Sequence, residues 1–153
     1  MPSLKDTLRA DRVAAMKARD DVAKDALGMA IAAIQREEVA GEAHELTNDE
    51  ALAVLTREVS QRKDSAQAYQ AGNRPELADK ELAEAAVLQR YLPAPLTDAE
   101  LDAIVAEEVE TARTAAGEVS MKQMGQIIKA VNARANRRAE GAVVAAKVKA
   151  ALA

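Results

Sequence analysis

The sequence predicts an all-α protein made of two helical domains, and three observations carry that reading. Hydrophobic residues make up 49% of the 153-residue chain but aromatics only 1%, with no Phe and no Trp. The apolar content is therefore mostly Ala, Leu, Val, Ile and Met, the residues that favour or tolerate helix. These residues recur at steps of three and four, and no alternating strand pattern occurs. Finally, Pro93 and Pro95 fall in the stretch Tyr91-Leu92-Pro93-Ala94-Pro95-Leu96-Thr97, where no helix can continue. The expected division is an N-terminal domain of antiparallel helical hairpins over 1–92, a proline-containing hinge over 93–97, and a small three-helix domain over 98–153.

Each element has its own local signals. Ser3 is a good N-cap with Asp6 at the position of a capping-box acid, so the first helix runs to about Lys17, with Leu4, Leu8, Ala15 and Met16 as candidate buried positions. Asp20 caps a second helix over Asp21–Val39, whose stripe is Val22, Ala26, Met29, Ala30, Ala33 and Ile34, widened by Leu27 and Ile31. Gly41 is its C-cap candidate. Thr47 or Asn48 opens a third helix in which Leu52, Leu55, Val59, Arg62, Ala66 and Tyr69 form a coiled-coil-like seam broken by one charge. Gly72-Asn73-Arg74-Pro75 is a stop followed by a start, with Pro75 in the first turn of a fourth helix to about Tyr91. Leu77, Leu82, Ala85, Leu88 and Leu92 are its candidates for burial.

Beyond the hinge, Thr97 and Glu100 read as a capping box for a fifth helix with Leu101, Ile104, Val105, Val109 and Ala112 inward, ended by Ala116-Gly117. Ser120 caps a sixth, with Met121, Met124, Ile127, Ile128 and Val131 on its apolar face. Gly125 lies inside that helix at a cost of roughly 0.5–1 kcal/mol relative to Ala, which suggests close helix contact. Residues 132–141 read as a basic turn before a seventh helix carrying Val143, Val144, Val148 and Leu152.

Composition excludes several function classes. With no cysteine there is no disulfide, thiolate nucleophile or Cys-based metal site. No apolar run approaches the ~20 residues of a membrane span, so a cytoplasmic protein without membrane contact is expected. The serines are Ser3, Ser60, Ser65 and Ser120. Ser65 follows Lys63 by two positions, and residues two apart on a helix do not face each other, so no catalytic Ser–Lys pair is expected. No glycine-rich phosphate loop occurs. His44, the lone histidine, sits in an acidic loop without convergent metal ligands. No catalytic residue, metal or cofactor is therefore assigned.

The net charge of −4 is unevenly spread. Residues 120–153 hold seven basic side chains (Lys122, Lys129, Arg134, Arg137, Arg138, Lys147 and Lys149) and one acid, Glu140, whereas residues 1–119 hold 14 basic and 24 acidic ones. Clustered Lys and Arg gain on phosphates through counterion release, so these seven are candidate RNA contacts, with Arg137 and Arg138 expected to be exposed and to matter most. Tyr69 and Tyr91 are the only aromatics, so such binding would follow backbone and shape, as for folded RNA, rather than base stacking. Arg62, Lys63 and Asp64, on or beside the seam of the third helix, read either as an ion-pair network to Asp79, Lys80 or Glu81 or as a surface for a protein partner.

Several stretches together resemble the YqeY family of small bacterial proteins, also called the GatB/YqeY domain family. They are Ser3-Leu4-Lys5-Asp6-Thr7-Leu8 with Ala15-Met16-Lys17, then Gln61-Arg62-Lys63-Asp64-Ser65, Leu77-Ala78-Asp79-Lys80-Glu81, Tyr91-Leu92-Pro93 and Met121-Lys122-Gln123-Met124-Gly125. The resemblance implies a C-terminal three-helix domain similar to the tail of GatB, the tRNA-binding subunit of the glutamine-dependent aminoacyl-tRNA amidotransferase. It also carries a label of carbon–nitrogen ligase with glutamine as amido donor. What it implies for this chain is a non-catalytic accessory or tRNA-binding role. The alternatives are a protein-interaction adaptor working through the N-terminal helices, or an amidotransferase component active only beside a catalytic partner. The sequence departs from the family pattern at Arg137, where a glycine is usual, and at Glu140, where Asp is usual. Loss of that glycine removes a residue that tolerates positive φ, so a different turn is expected there.

Overall fold

The computed structural model describes residues 2–153. Among them are seven α-helices, one short 3-10 turn and no strand. The helices are α1 (Leu4–Lys17), α2 (Asp21–Val39), α3 (Asn48–Ala71), α4 (Pro75–Gln89), α5 (Asp98–Ala116), α6 (Met124–Ala135) and α7 (Gly141–Leu152), with the 3-10 turn Met121–Gln123 leading into α6. The chain divides into two compact units, Met1–Leu92 and Pro93–Ala153.

In the first unit α1 and α2 form one hairpin, α3 and α4 another, and α2 packs across α4. Start signals act where the sequence places them. Ser3 accepts from the Asp6 amide, Asp20 from Ala23, and Thr47 makes a full capping box with Glu50. The core is small-residue rich: Ala26, Ala30 and Ala78 are fully buried beside Leu8, Ile34, Leu55 and Leu88. Glu38 clamps the α2–α3 loop, with one oxygen on Lys5 and the other 3.1 Å from the Leu46 amide. The Lys5 hydrogen bond and the Leu46 amide hold its carboxyl below the usual glutamate value. Tyr91 fastens the end of this unit by donating its hydroxyl hydrogen to Asp11. Burial, then that acceptor, push the phenol above its ordinary value.

Five burial expectations fail, Met121 among them at 47% exposure. Met16 and Met29 are 52% and 54% exposed, while the neighbouring Ala15, Ala23, Ala26 and Ala30 take the buried positions of α1 and α2. Leu82 and Val143 are likewise exposed, since α4 turns Ala78, Ala85, Val87 and Leu88 inward and α7 turns Val144 and Val148 inward. Two boundaries also move. The α4 helix ends at Gln89, and Tyr91 and Leu92 bond to Leu88 and Gln89 in tighter i to i−3 turns, as the residue before Pro93 must leave the α region. The α6 helix runs on to Ala135, which is buried with Val131, and so shortens the expected basic turn.

The second unit is a three-helix bundle around Leu101, Val105, Val109, Ile127, Val131, Val144 and Val148. Gly117 ends α5 in the left-handed conformation. Gly125 makes no close helix contact, as a Cβ there would meet nothing within 4 Å. It sits in the first turn of α6 on the exposed side, where backbone amides lack intrahelical partners in any case.

The proline stretch belongs to this bundle. Arg138 donates from Nε to the Ala94 carbonyl at 2.6 Å, and its own carbonyl accepts from Leu96 at 2.8 Å, while Leu96 packs on the core. The turn before α7 keeps left-handed backbone at Asn136 (φ +46°) and Arg137 (φ +66°). Arginine therefore stands in a left-handed conformation that glycine adopts more easily, at a steric cost of about 1 kcal/mol. Arg137→Gly should accordingly raise the unfolding free energy of the protein by about 1 kcal/mol. Urea denaturation followed by circular dichroism checks this, and no gain would mean that the turn carries no strain.

Candidate nucleic-acid interface

The seven C-terminal cations separate into two sets once the bundle forms. Helix α5 carries six acids and one base, and it packs against both α6 and α7. Three of the seven are drawn onto that acidic helix. Arg134 reaches Glu107 at 2.7 Å and Glu108 at 3.2 Å. Lys147 reaches Asp102 at 2.7 Å and Asp98 at 3.6 Å. Arg138 lies 3.9 Å from Glu100 and is committed to the Ala94 carbonyl. The carboxylates on Arg134, Glu107 first, raise the pKa of its guanidinium, and Asp102 does the same to the Lys147 ammonium. The second unit as a whole holds eight basic and eight acidic residues and is neutral.

Lys122, Lys129, Arg137 and Lys149 are exposed and make no ion pair among the described residues. Helical geometry accounts for the split. At 3.6 residues per turn, Lys129 points about 140° away from Arg134 on α6, and Lys149 about 160° away from Lys147 on α7. The acid-facing sides of α6 and α7 are thus neutralised, while their other sides keep positive charge. Lys122 lies in the 3-10 turn, where Ser120 Oγ accepts from its amide and Gln123 closes a capping box. Lys149 lies in the last turn of α7, where a cation opposes the helix dipole favourably. Arg137 is exposed as expected. Arg138 keeps 40% of its side chain exposed, but its Nε is tied to the Ala94 carbonyl.

The remaining sequence candidates lie in the first unit. Arg62 is 4% exposed and sits between Glu58 at 2.9 Å and Glu84 at 3.3 Å, with Met29 Sδ at 3.6 Å. Arg62 links α3 to α4, and its own partners are Glu58 and Glu84 rather than Asp79 or Glu81. Glu58, one turn before Arg62, was legible as an i,i+4 pair, whereas Glu84 depends on how the hairpin aligns. Lys63 is half-buried and Asp64 exposed. Ser3 and Ser120 are helix caps, and Ser60 and Ser65 are half-buried along α3. His44 is exposed, its Nδ1 3.1 Å from the Glu42 carbonyl. Among the described residues no group of three His, Asp or Glu side chains is placed to hold a metal, and no helix is long and apolar enough to cross a membrane.

These features define a helical protein of two charge-patterned units. A family profile described as YqeY-like protein matches residues 5–152, and the chain belongs to the YqeY family. It is also 30% identical over 125 residues, 78% of this chain and 68% of the relative, to a protein called altered inheritance of mitochondria protein 41, mitochondrial, in two strains of Saccharomyces cerevisiae. Both relatives are eukaryotic, and the bacterial association carried by the resemblance finds no support in them.

The ion pairs of the two units can each be tested by removing the cation. Arg62→Ala leaves Glu84 buried without its partner and should lower the unfolding free energy by about 3–5 kcal/mol, read from denaturant midpoints. A loss under about 1 kcal/mol, the range of exposed pairs, would show that Arg62 is solvated in the folded protein. Lys147 titrates above the ordinary lysine value of 10.5 in the folded state. Its stabilising contribution is therefore complete below that pH and disappears as pH rises through the raised folded value. Lys147→Met should lower the urea midpoint at neutral pH, and the gap to wild type should close in strongly alkaline solution. A gap unchanged across that range would exclude the ion pair as its cause.

Proposed function

We propose that the protein is a non-catalytic binding module whose C-terminal unit contacts structured RNA of the tRNA type through its phosphates. The observation that carries this reading is the set of four unneutralised cations, Lys122, Lys129, Arg137 and Lys149, left on α6, α7 and their flanking turns while α5 consumes the other three. Phosphate oxygens are the ligands that such dispersed point charges suit, and released counterions supply the free energy. The unit has no aromatic side chain, which directs binding to backbone and shape instead of base stacking. The resemblance of this unit to the tail of a tRNA-binding amidotransferase subunit supports the same ligand class. A carbon–nitrogen ligase role with glutamine as amido donor would belong to an assembly in which another subunit supplies the nucleophile.

Titration of labelled tRNA at several salt concentrations tests the proposal. Lys129→Ala with Lys149→Ala should weaken binding roughly tenfold and flatten the logarithmic salt slope by about two, one for each phosphate that no longer meets a lysine. Circular dichroism serves as the folding control, since both side chains are exposed. A double variant that binds as wild type at every salt, or a wild type that does not bind tRNA, would overturn the reading.

A further inference from the structure

We infer that the open groove between α1, α2 and α4 is a docking site for an acidic amphipathic helix of a partner protein. The groove has a volume of about 730 Å3. Along α2 it runs from Asp25 to Gln35, about 15 Å at 1.5 Å per residue, the length of nearly three helical turns. That shape fits the helix-in-groove mode, in which apolar anchors at i, i+3, i+4 and i+7 enter a channel.

The floor is apolar and exposed. Val13 and Met29 line it at 50% and 54% exposure, although Ala26, Leu27, Ala30, Ala33 and Ile34 of the α2 stripe are buried. Methionine fills irregular gaps and adapts to the side chain it meets. Gly28 extends the floor, and a Cβ there would stand 3.0 Å from Arg12 Nε. The bare backbone at Gly28 is what lets the Arg12 side chain lie along α2.

The charge around this floor identifies the occupant. Arg9, Arg12 and Lys80 line the groove. Arg12 and Lys80 have no ion-pair partner among the described residues, and Arg9 reaches only Asp6, at 3.9 Å. Of the two acids present, Glu84 is engaged by the buried Arg62 and Asp25 lies 3.9 Å from Lys24. Unneutralised cations thus gather in one groove of a unit that carries 13 basic and 17 acidic residues. A helix with apolar anchors and flanking carboxylates would cover the floor and meet Arg12 bidentately. A nucleic acid would leave the floor uncovered, and its many phosphates would meet the net negative charge of the unit.

The test uses the full-length chain and three fluorescent peptides of about ten residues, the length that 15 Å of helix requires. They share one leucine spacing and differ only in carrying Glu, Gln or Lys between the leucines. Fluorescence anisotropy should rank them Glu above Gln above Lys, with roughly tenfold between the first and last, as two surface ion pairs would give. Arg12→Glu with Lys80→Glu should reverse the order, and Val13→Asp should weaken binding of the Gln peptide. Circular dichroism of each variant confirms folding, since all three positions are exposed. Equal binding of the three peptides, no binding of the Glu peptide, or an order unchanged by the charge reversal would overturn the inference. The tRNA titration of the same charge-reversed variant separates the two surfaces: a salt slope equal to wild type supports a protein groove, and loss of tRNA binding would make the groove part of an RNA surface.

Discussion

The interaction on which the first unit depends is the buried guanidinium of Arg62. It is 4% exposed and bonded to Glu58 on its own helix and Glu84 on the next, with the Met29 sulfur of α2 against it. An ion pair in such a place gains little net stability, because desolvation offsets most of the attraction. Its contribution is directional. The surrounding core is built largely of alanine and contains no Phe or Trp, so apolar contacts alone would distinguish poorly between one alignment of α3 and α4 and a neighbouring one. A fork that must find carboxylates on both helices selects the register in which no charge is left alone.

The same requirement, that charge be met by charge, organises the second unit in a different way. Its apolar core joins α5, α6 and α7, and the fold thereby lays an acid-rich helix beside two basic ones. Arg134 and Lys147 are consumed in this contact and Arg138 is held by the proline stretch. What remains for a ligand is set by helical phase: side chains a few residues away on the same helices point elsewhere and stay unpaired. Arg138 also ties the stretch around Pro93 and Pro95 to the bundle, through the Ala94 carbonyl and the Leu96 amide.

The two units thus offer different chemistry. One leaves cations dispersed over exposed helix faces, suited to a polyanion bound through its backbone. The other concentrates cations around an apolar floor inside an otherwise acidic unit, suited to a partner that brings both carboxylates and hydrophobic anchors.

The sequence by itself determined the helices and the places where they start. Caps act over three residues and prolines over one, so Ser3, Asp20, Thr47, Thr97 and Ser120 could be read without knowing what lies nearby. The apolar stripes at Ala26, Ile34, Leu55, Val105 and Val131 were legible for the same reason, as was the family through its combined motifs. Only the tertiary structure decided which members of a stripe are covered, because burial of Ala15 over Met16, or Ala85 over Leu82, depends on the angle at which the next helix crosses. It also decided the electrostatics. A charge sum over 120–153 treats seven cations as equivalent, but ion pairs form across 26 and 45 residues of sequence, between Arg134 and Glu108 and between Lys147 and Asp102. Glu84 as the partner of Arg62, and the meeting of Arg12, Gly28 and Lys80 in one groove, are of the same kind: charges and surfaces far apart in sequence become neighbours only when the helices pack.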